Sequence, residues 1–98
     1  MDINKIANAN AVTLELTGRL DTTTAPQLEA ELKGCMDTAD ELTLDFAKLE
    51  YISSAGLRVL LAAQKVMGKK GGMKLRNVCP EIMEVFEITG FSDILTIE

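Results

Sequence analysis

Two adjacent serines, Ser53 and Ser54, occupy a position where a side-chain hydroxyl can cap a helix or accept a phosphate. They follow a strand-like segment, precede an apolar stretch with helical spacing, and have Gly56 just beyond them. A serine at a helix start accepts a hydrogen bond from the unpaired N–H groups of the first turn, so either serine can cap the helix. The same position presents a hydroxyl beside the positive end of the helix dipole, where a phosphate would be stabilised. An ordinary cap and a phosphorylation site are both compatible with this pattern.

The composition argues against catalysis by the chain itself. There is no histidine, the commonest general base and metal ligand. Ser54 therefore has no base to activate it, and the Gly-x-Ser-x-Gly elbow of serine hydrolases is absent. No glycine-rich loop followed by a lysine indicates nucleotide binding. We predict that the protein is not an enzyme and holds no cofactor or metal. Cys35 and Cys79 are interpreted as small apolar residues in a reducing cytosol.

The length and net charge of the chain limit the number of domains and the kinds of partner that it can have. The 98 residues, 47% of them hydrophobic, suffice for one core, so residues 1–98 are interpreted as a single domain. The net charge of −5 disfavours phosphate backbones and anionic lipids as partners. The N-terminal segment has no apolar core typical of a signal peptide, and no apolar run is long enough to span a bilayer. We therefore expect a cytoplasmic protein that binds no nucleic acid and does not insert into membranes.

Strand and helix patterns alternate along the chain. Apolar residues with a period of two predict strands at 12–16 and 42–46, a weaker strand at 3–6, a short one at 73–78 and a last element within 91–97. Helical spacing predicts helices from about Pro26, from the serine pair and from Pro80, with Gly90 ending the third. Lys69 and Lys70 are expected to form a solvated end of the second helix. The order β-β-α-β-α-β-α-β predicts an α/β fold, a mixed sheet with helices packed against it.

Several short motifs together resemble one family. The segment 51–61, Tyr-Ile-Ser-Ser-Ala-Gly-Leu-Arg-Val-Leu-Leu, is similar to the signature of STAS domains, the sulfate transporter and anti-sigma factor antagonist domains. Gly-Arg-Leu-Asp at 18–21 resembles the family's turn into its first helix. Phe-Glu-Ile-Thr-Gly-Phe at 86–91 resembles the end of its third helix. Because these motifs occur in the family's order over nearly the whole chain, the protein is identified as a STAS-domain member.

A chain of this size resembles the stand-alone bacterial anti-sigma factor antagonists, which regulate transcription by partner switching. The resemblance implies that the unphosphorylated protein binds an anti-sigma factor serine kinase and thereby frees a sigma factor. Phosphorylation of a serine at the start of the second helix would release the antagonist, and a PP2C-type phosphatase would reset it. The alternative within the family is a soluble STAS subunit of a transport complex, such as a lipid ABC transporter, without phosphoregulation.

The resemblance also assigns site residues. The family phosphoacceptor stands two residues before the motif glycine, which makes Ser54 the match and Ser53 the alternate acceptor. Phosphorylated members usually carry Asp at the position of Ser53, and that acid is missing here. Asp21 matches an acidic position that faces the partner, although an Asp in a turn also commonly bonds its own backbone. The expected partner-binding residues are Asp21, Ser53, Ser54, Gly56 and Leu57.

Overall fold

The computed structural model describes residues 1–98 and has the predicted order of elements. The strands are β1 (Asp2–Asn8), β2 (Ala11–Leu20), β3 (Glu41–Ile52), β4 (Met73–Arg76) and β5 (Thr96–Ile97). The helices are α1 (Ala25–Met36), α2 (Ser54–Met67) and α3 (Pro80–Thr89), and a short 3₁₀ turn covers Phe91–Asp93. None of these helices is both long enough and apolar enough to cross a membrane.

The five strands form one mixed sheet whose spatial order is the chain order, β1-β2-β3-β4-β5. β1 pairs antiparallel with β2, and the other neighbours pair in parallel. Each parallel pair is joined through one helix, and such crossovers are almost always right-handed. The crossovers all proceed in one direction along the sheet, from β2 to β3, then to β4 and to β5. Right-handed crossovers in one direction place their helices on the same face, so the three helices cover one face of the sheet. The predicted α/β class and mixed sheet are confirmed.

The two faces of the sheet have opposite character. Leu14, Leu44 and Leu75 lie side by side on β2, β3 and β4 and are fully buried under the helices. α3 joins this core through Phe86, whose ring centroid lies 6.3 Å from that of Phe46 on β3. Burial of such side chains contributes about 1.5–3 kcal/mol each to folding. The core therefore holds the helix starts rigidly against the carboxyl ends of the strands.

The opposite face carries polar residues, among them the buried carboxylate of Asp45. This carboxylate accepts hydrogen bonds from the Ala47 amide at 2.9 Å and the Asn77 side chain at 3.1 Å, and Arg76 Nε lies 3.4 Å away. Burial raises the pKa of Asp45, but the hydrogen bonds and the Arg76 charge outweigh it and hold the pKa below its usual range. Asp45 therefore ties β3 to the loop that follows β4.

β3 runs without interruption to Ile52, whereas the alternating pattern predicts a strand only to residue 46. Two irregularities in the pairing explain the difference, because β3 has one residue more than β2 between the pairs Glu15–Asp45 and Thr17–Lys48, and one more before Arg19–Tyr51. Each extra residue shifts the phase of the strand. Leu49 and Ile52 consequently both face the core, three residues apart, and the strand delivers the chain directly to α2.

One further expectation is wrong, and another is incomplete. β4 ends at Arg76 instead of residue 78, because Asn77 adopts a left-handed conformation with φ of 58° that cannot continue a strand. Lys69 and Lys70 are both exposed, as expected, but Lys70 Nζ also donates hydrogen bonds to the carbonyl oxygens of Met36 and, at 3.3 Å, Ala39. A lysine just beyond the end of α2 thus satisfies one carbonyl group in the last turn of α1 and one in the loop that follows it.

Candidate functional site

The junction between β3 and α2 lies at the carboxyl edge of the sheet, beside the end of β2. The amide of Ser53 donates to the carbonyl oxygen of Leu20 at 2.9 Å, which continues the parallel pairing one residue beyond β3. Ser53 is the N-cap of α2, with extended backbone, and its hydroxyl accepts a long hydrogen bond of 3.4 Å from the Gly56 amide. The capping function thus falls to Ser53, and the sheet fixes where α2 begins.

Ser54 is the first residue of α2 and is exposed. Its hydroxyl makes no hydrogen bond within the chain, and neither its amide nor that of Ala55 donates to another residue. Unpaired amides are normal in a first helical turn. No acidic residue lies in this turn, so the positive end of the dipole is not neutralised there. The geometry therefore presents an unused hydroxyl in surroundings that favour an anion.

Gly56 and Leu57 lie beneath the surface, contrary to the expectation that they form its partner-binding face. A Cβ on Gly56 would come within 2.6 Å of Leu20 Cγ and 3.0 Å of Ile52 Cγ1, so only glycine allows α2 to approach β2 and β3 this closely. Leu57 is only 8% exposed. Both residues position the first turn of α2, and the surface available to a partner consists of their polar neighbours.

Asp21 follows Leu20 at the end of β2, next to the serine pair. Its carboxylate accepts hydrogen bonds from the amides of Thr24, at 3.1 Å, and Thr23, at 3.0 Å, and its own amide donates to Thr24 Oγ1. The bond from the Thr24 amide is the largest of the causes that lower the pKa of Asp21, with smaller help from the Arg19 charge. Asp21 therefore stays ionised and organises the turn into α1, while about a third of its side chain remains exposed.

The predicted site residues do not include three residues that lie near this junction, namely Arg19, Tyr51 and Arg58. Arg58 is exposed on α2, four residues after Ser54; helical spacing alone could have identified it, because residues i and i+4 share a face. Arg19 lies with its guanidinium carbon 4.2 Å from the centroid of the Tyr51 ring, within the range of a cation–π contact. That pairing depends on the irregular register of β3, for which the sequence has no local signal.

A shallow hollow of about 280 Å³ lies between the starts of α1 and α2. Thr22 and Pro26 form one wall, and Ala55 and Arg58 form the other. No group of three or more Cys, Asp or Glu side chains is arranged to hold a metal ion. The guanidinium of Arg58 borders this hollow, and the exposed Ser54 hydroxyl and the partly exposed Asp21 carboxylate lie on the same edge of the sheet. Such a surface is suited to being bound and modified by another protein.

Comparison with known proteins agrees with the motifs. The family model described as "Mlab, STAS domain" matches residues 3–96. BtrV of Bordetella bronchiseptica, named as a candidate anti-sigma factor antagonist, is 43% identical over 84 residues, which cover 84% of this chain and 72% of the relative. The anti-sigma-B factor antagonist of Bacillus subtilis is 31% identical over 91 residues, which cover 92% of this chain and 84% of the relative.

The fold has equally clear counterparts among solved structures. The crystal structure of an anti-sigma factor antagonist from Mycobacterium paratuberculosis superposes with a TM-score of 0.89 at 23% sequence identity. The match covers 98% of this chain and 83% of that one. At this level of identity the likeness concerns the architecture of sheet and helices.

Proposed function

The chain belongs to the STAS domain family, and from this membership we propose that it is an anti-sigma factor antagonist that works by partner switching. In the unphosphorylated form it binds an anti-sigma factor that is also a serine kinase, and this binding frees a sigma factor. Phosphorylation of Ser54 by the bound kinase ends the interaction, and a PP2C-type phosphatase restores the binding form. The names of its relatives support the antagonist function, and the remainder is our inference from the site.

The single observation that carries the proposal is the exposed, unbonded hydroxyl of Ser54 at the first position of α2. Ser53 caps the helix and Gly56 fixes its approach to the sheet, so the fold makes no use of the Ser54 hydroxyl. A phosphate there would sit at the positive end of the helix dipole and leave the core intact. The protein would therefore change its surface charge by about −1.5 to −2 without unfolding.

The chemistry requires only a hydroxyl from this chain. Ser54 Oγ attacks the γ-phosphorus of ATP bound to the kinase, and the bond between that phosphorus and the bridging oxygen breaks as ADP leaves. The serine proton passes to a base of the kinase, because this chain has no histidine. Ser53 is the less suitable acceptor, since its hydroxyl is half-buried and occupied by the Gly56 amide.

Binding would use the polar surface around Ser54. Asp21 and Ser53 lie beside it at the carboxyl edge of the sheet, and the residues beneath them hold the surface in shape. Ordered, preformed surfaces of this kind lose little conformational freedom on association. The acid that phosphorylated relatives carry at the position of Ser53 is absent, so we propose that Asp21 supplies the acidic feature that the kinase recognises.

The decisive experiment incubates the protein with its cognate anti-sigma factor kinase and Mg-ATP and locates the phosphate by mass spectrometry. We expect one phosphate on Ser54, none on Ser54→Ala, and an unchanged level on Ser53→Ala. In a pull-down, Ser54→Ala should bind the kinase and stay bound after ATP is added, whereas Ser54→Asp should bind poorly. An active kinase that binds the protein but leaves both serines unmodified would refute the switch.

A second function within the family has one observation in its favour. The Ser-Ser-Ala-Gly sequence lacks the acid of phosphorylated members, and the matching family model carries the description Mlab. A STAS subunit that docks on the ATPase of a lipid transport complex would need neither kinase nor phosphatase. Such a protein would co-purify with a transporter ATPase and carry no phosphate, so the same mass spectrometry separates the two functions.

A further inference from the structure

We propose that Arg58 is the residue that converts the phosphorylation of Ser54 into loss of binding. In the unphosphorylated protein its guanidinium is free to pair with a carboxylate of the anti-sigma factor. Once Ser54 carries a phosphate, the guanidinium turns to that phosphate and is withdrawn from the partner. This inference rests on the proposed function. It adds that the contact of Arg58 with the phosphate on Ser54 competes with the contact of Arg58 with the anti-sigma factor.

The first support is the position of Arg58 on α2. It lies four residues after Ser54, and both side chains are exposed. Residues i and i+4 of a helix share a face, with Cβ atoms about 6 Å apart. Because side chains tilt towards the helix N-terminus, a long side chain at i+4 lies back over the residue at i. The guanidinium of Arg58 can therefore reach a group attached to Ser54 Oγ.

The second support is that Arg58 has no partner. The chain has three arginines, and the other two are engaged, Arg19 with Asp21 and Arg76 with Asp45. Arg58 forms no ion pair, no side-chain hydrogen bond and no aromatic contact. It also lies near the positive end of the helix dipole, where a cation is unfavourable. The guanidinium of Arg58 is therefore available for a contact that the fold does not use.

The third support is the chemistry of the pair. A guanidinium binds a phosphate through two parallel N–H···O bonds, a stronger and more directional contact than it forms with most other groups. A phosphoserine one turn away supplies this ligand at a very high effective concentration. A carboxylate on a partner must therefore compete with an intramolecular dianion. Repulsion by the added charge then acts together with the loss of an attractive contact.

Charge repulsion alone and the proposed capture of Arg58 predict opposite effects for the substitution Arg58→Gln. The affinity for the anti-sigma factor is measured with and without phosphate on Ser54, and the ratio of the two dissociation constants reports the strength of the switch. If phosphorylation withdraws Arg58, the variant has already lost that contact, so the ratio should fall about 5- to 10-fold. If repulsion alone acts, removing a cation should leave the ratio unchanged or increase it, which would overturn the proposal.

The capture of Arg58 is also measurable without any partner. Phosphoserine can be incorporated at position 54 during synthesis, and its second ionisation followed by ³¹P NMR. Arg58 should lower the pKa of this phosphate by about half a unit, as expected for an exposed charge pair, and Arg58→Gln should abolish the shift. Arg58→Lys should retain part of it. An identical titration curve for Arg58→Gln would refute the contact, even if the kinase assay had failed for other reasons.

Lys65→Gln is the matched control. It removes the same charge from an exposed position of the same helix. It lies 11 residues beyond Ser54, which corresponds to roughly 16 Å along the axis and exceeds the screening length at physiological salt. Neither the phosphate pKa nor the ratio of dissociation constants should change in this variant. A change equal to that of Arg58→Gln would show that net charge alone is responsible.

Discussion

Replacing Gly56 with alanine should destabilise the protein although alanine is the better helix former. The added Cβ would lie 2.6 Å from Leu20 Cγ and 2.9 Å from Leu20 Cδ2. Carbon atoms that are not bonded prefer separations of about 3.5–4.0 Å, so a shift of roughly 1 Å is needed. Leu20 is fully buried and cannot rotate away freely. Either the Leu20 side chain leaves its preferred conformation or the start of α2 moves away from the sheet.

The change in the free energy of unfolding caused by Gly56→Ala is the sum of two opposing contributions. Overpacking a well-filled core costs about 1–3 kcal/mol, and replacing glycine by alanine in a helix contributes up to about 1 kcal/mol of stability. We expect a net loss of about 1 kcal/mol in the free energy of unfolding. Gly34 isolates the second contribution, because it is exposed on α1 and a Cβ added there would have no atom within 4 Å. Gly34→Ala should therefore gain about 0.5–1 kcal/mol.

Urea denaturation followed by circular dichroism measures both variants under the same conditions. The two should differ by roughly 2 kcal/mol, which corresponds to about 10 °C in melting temperature for a domain of this size. The comparison removes general effects of alanine on helix formation. If Gly56→Ala proves as stable as Gly34→Ala, the close approach of α2 to Leu20 does not constrain position 56, and the positioning function assigned to this glycine is wrong.

Three further predictions concern the same framework. The pKa of Asp45 is lower in the folded than in the unfolded chain. Its contribution to stability is therefore complete above about pH 4 and is lost as the pH falls through the folded value. Asp45→Asn should reduce the pH dependence of the free energy of unfolding in that window, measured by urea denaturation. Lys70→Met should lower the free energy of unfolding by about 1 kcal/mol because carbonyl groups at the end of α1 lose their donor, whereas Lys69→Met should change it little. Ser53→Ala should cost about 0.5 kcal/mol, since a cap of 3.4 Å is weak, and Ser53→Asp should recover that loss in the same urea denaturation measurements.

The order of elements was predictable because each element repeats its own signal. Val12, Leu14 and Leu16 alternate along β2, and all three are buried. Proline at the start and glycine at the end delimit α3 in the same local way. These signals depend on one element at a time. The start of α2 was predictable for the same reason, since serine before an apolar run indicates a helix start whatever surrounds it.

Most of the features that escaped prediction depend on contacts between two segments of the chain. The length of β3 requires extra residues opposite β2, and a period of two in one strand contains no information about its partner. Lys70 appears solvated until the end of α1 is placed beside it. Leu57 belongs to the motif that marks the site but lies in the core. Sequence patterns thus locate the surface that carries Ser54, whereas packing decides which neighbours are exposed on it.

The identity of strand order and chain order has a consequence for how the protein folds. Each strand pairs only with the strands immediately before and after it in the chain, so no pairing closes a loop longer than one helix and its connections. Short loop closures favour rapid folding, even for a parallel sheet. The unit β2–α1–β3 has nine paired positions, whereas β5 contributes two. We expect chain synthesis to complete the β1–β2 hairpin and then the β2–β3 unit, so that the strands that support the start of α2 exist before β5 leaves the ribosome.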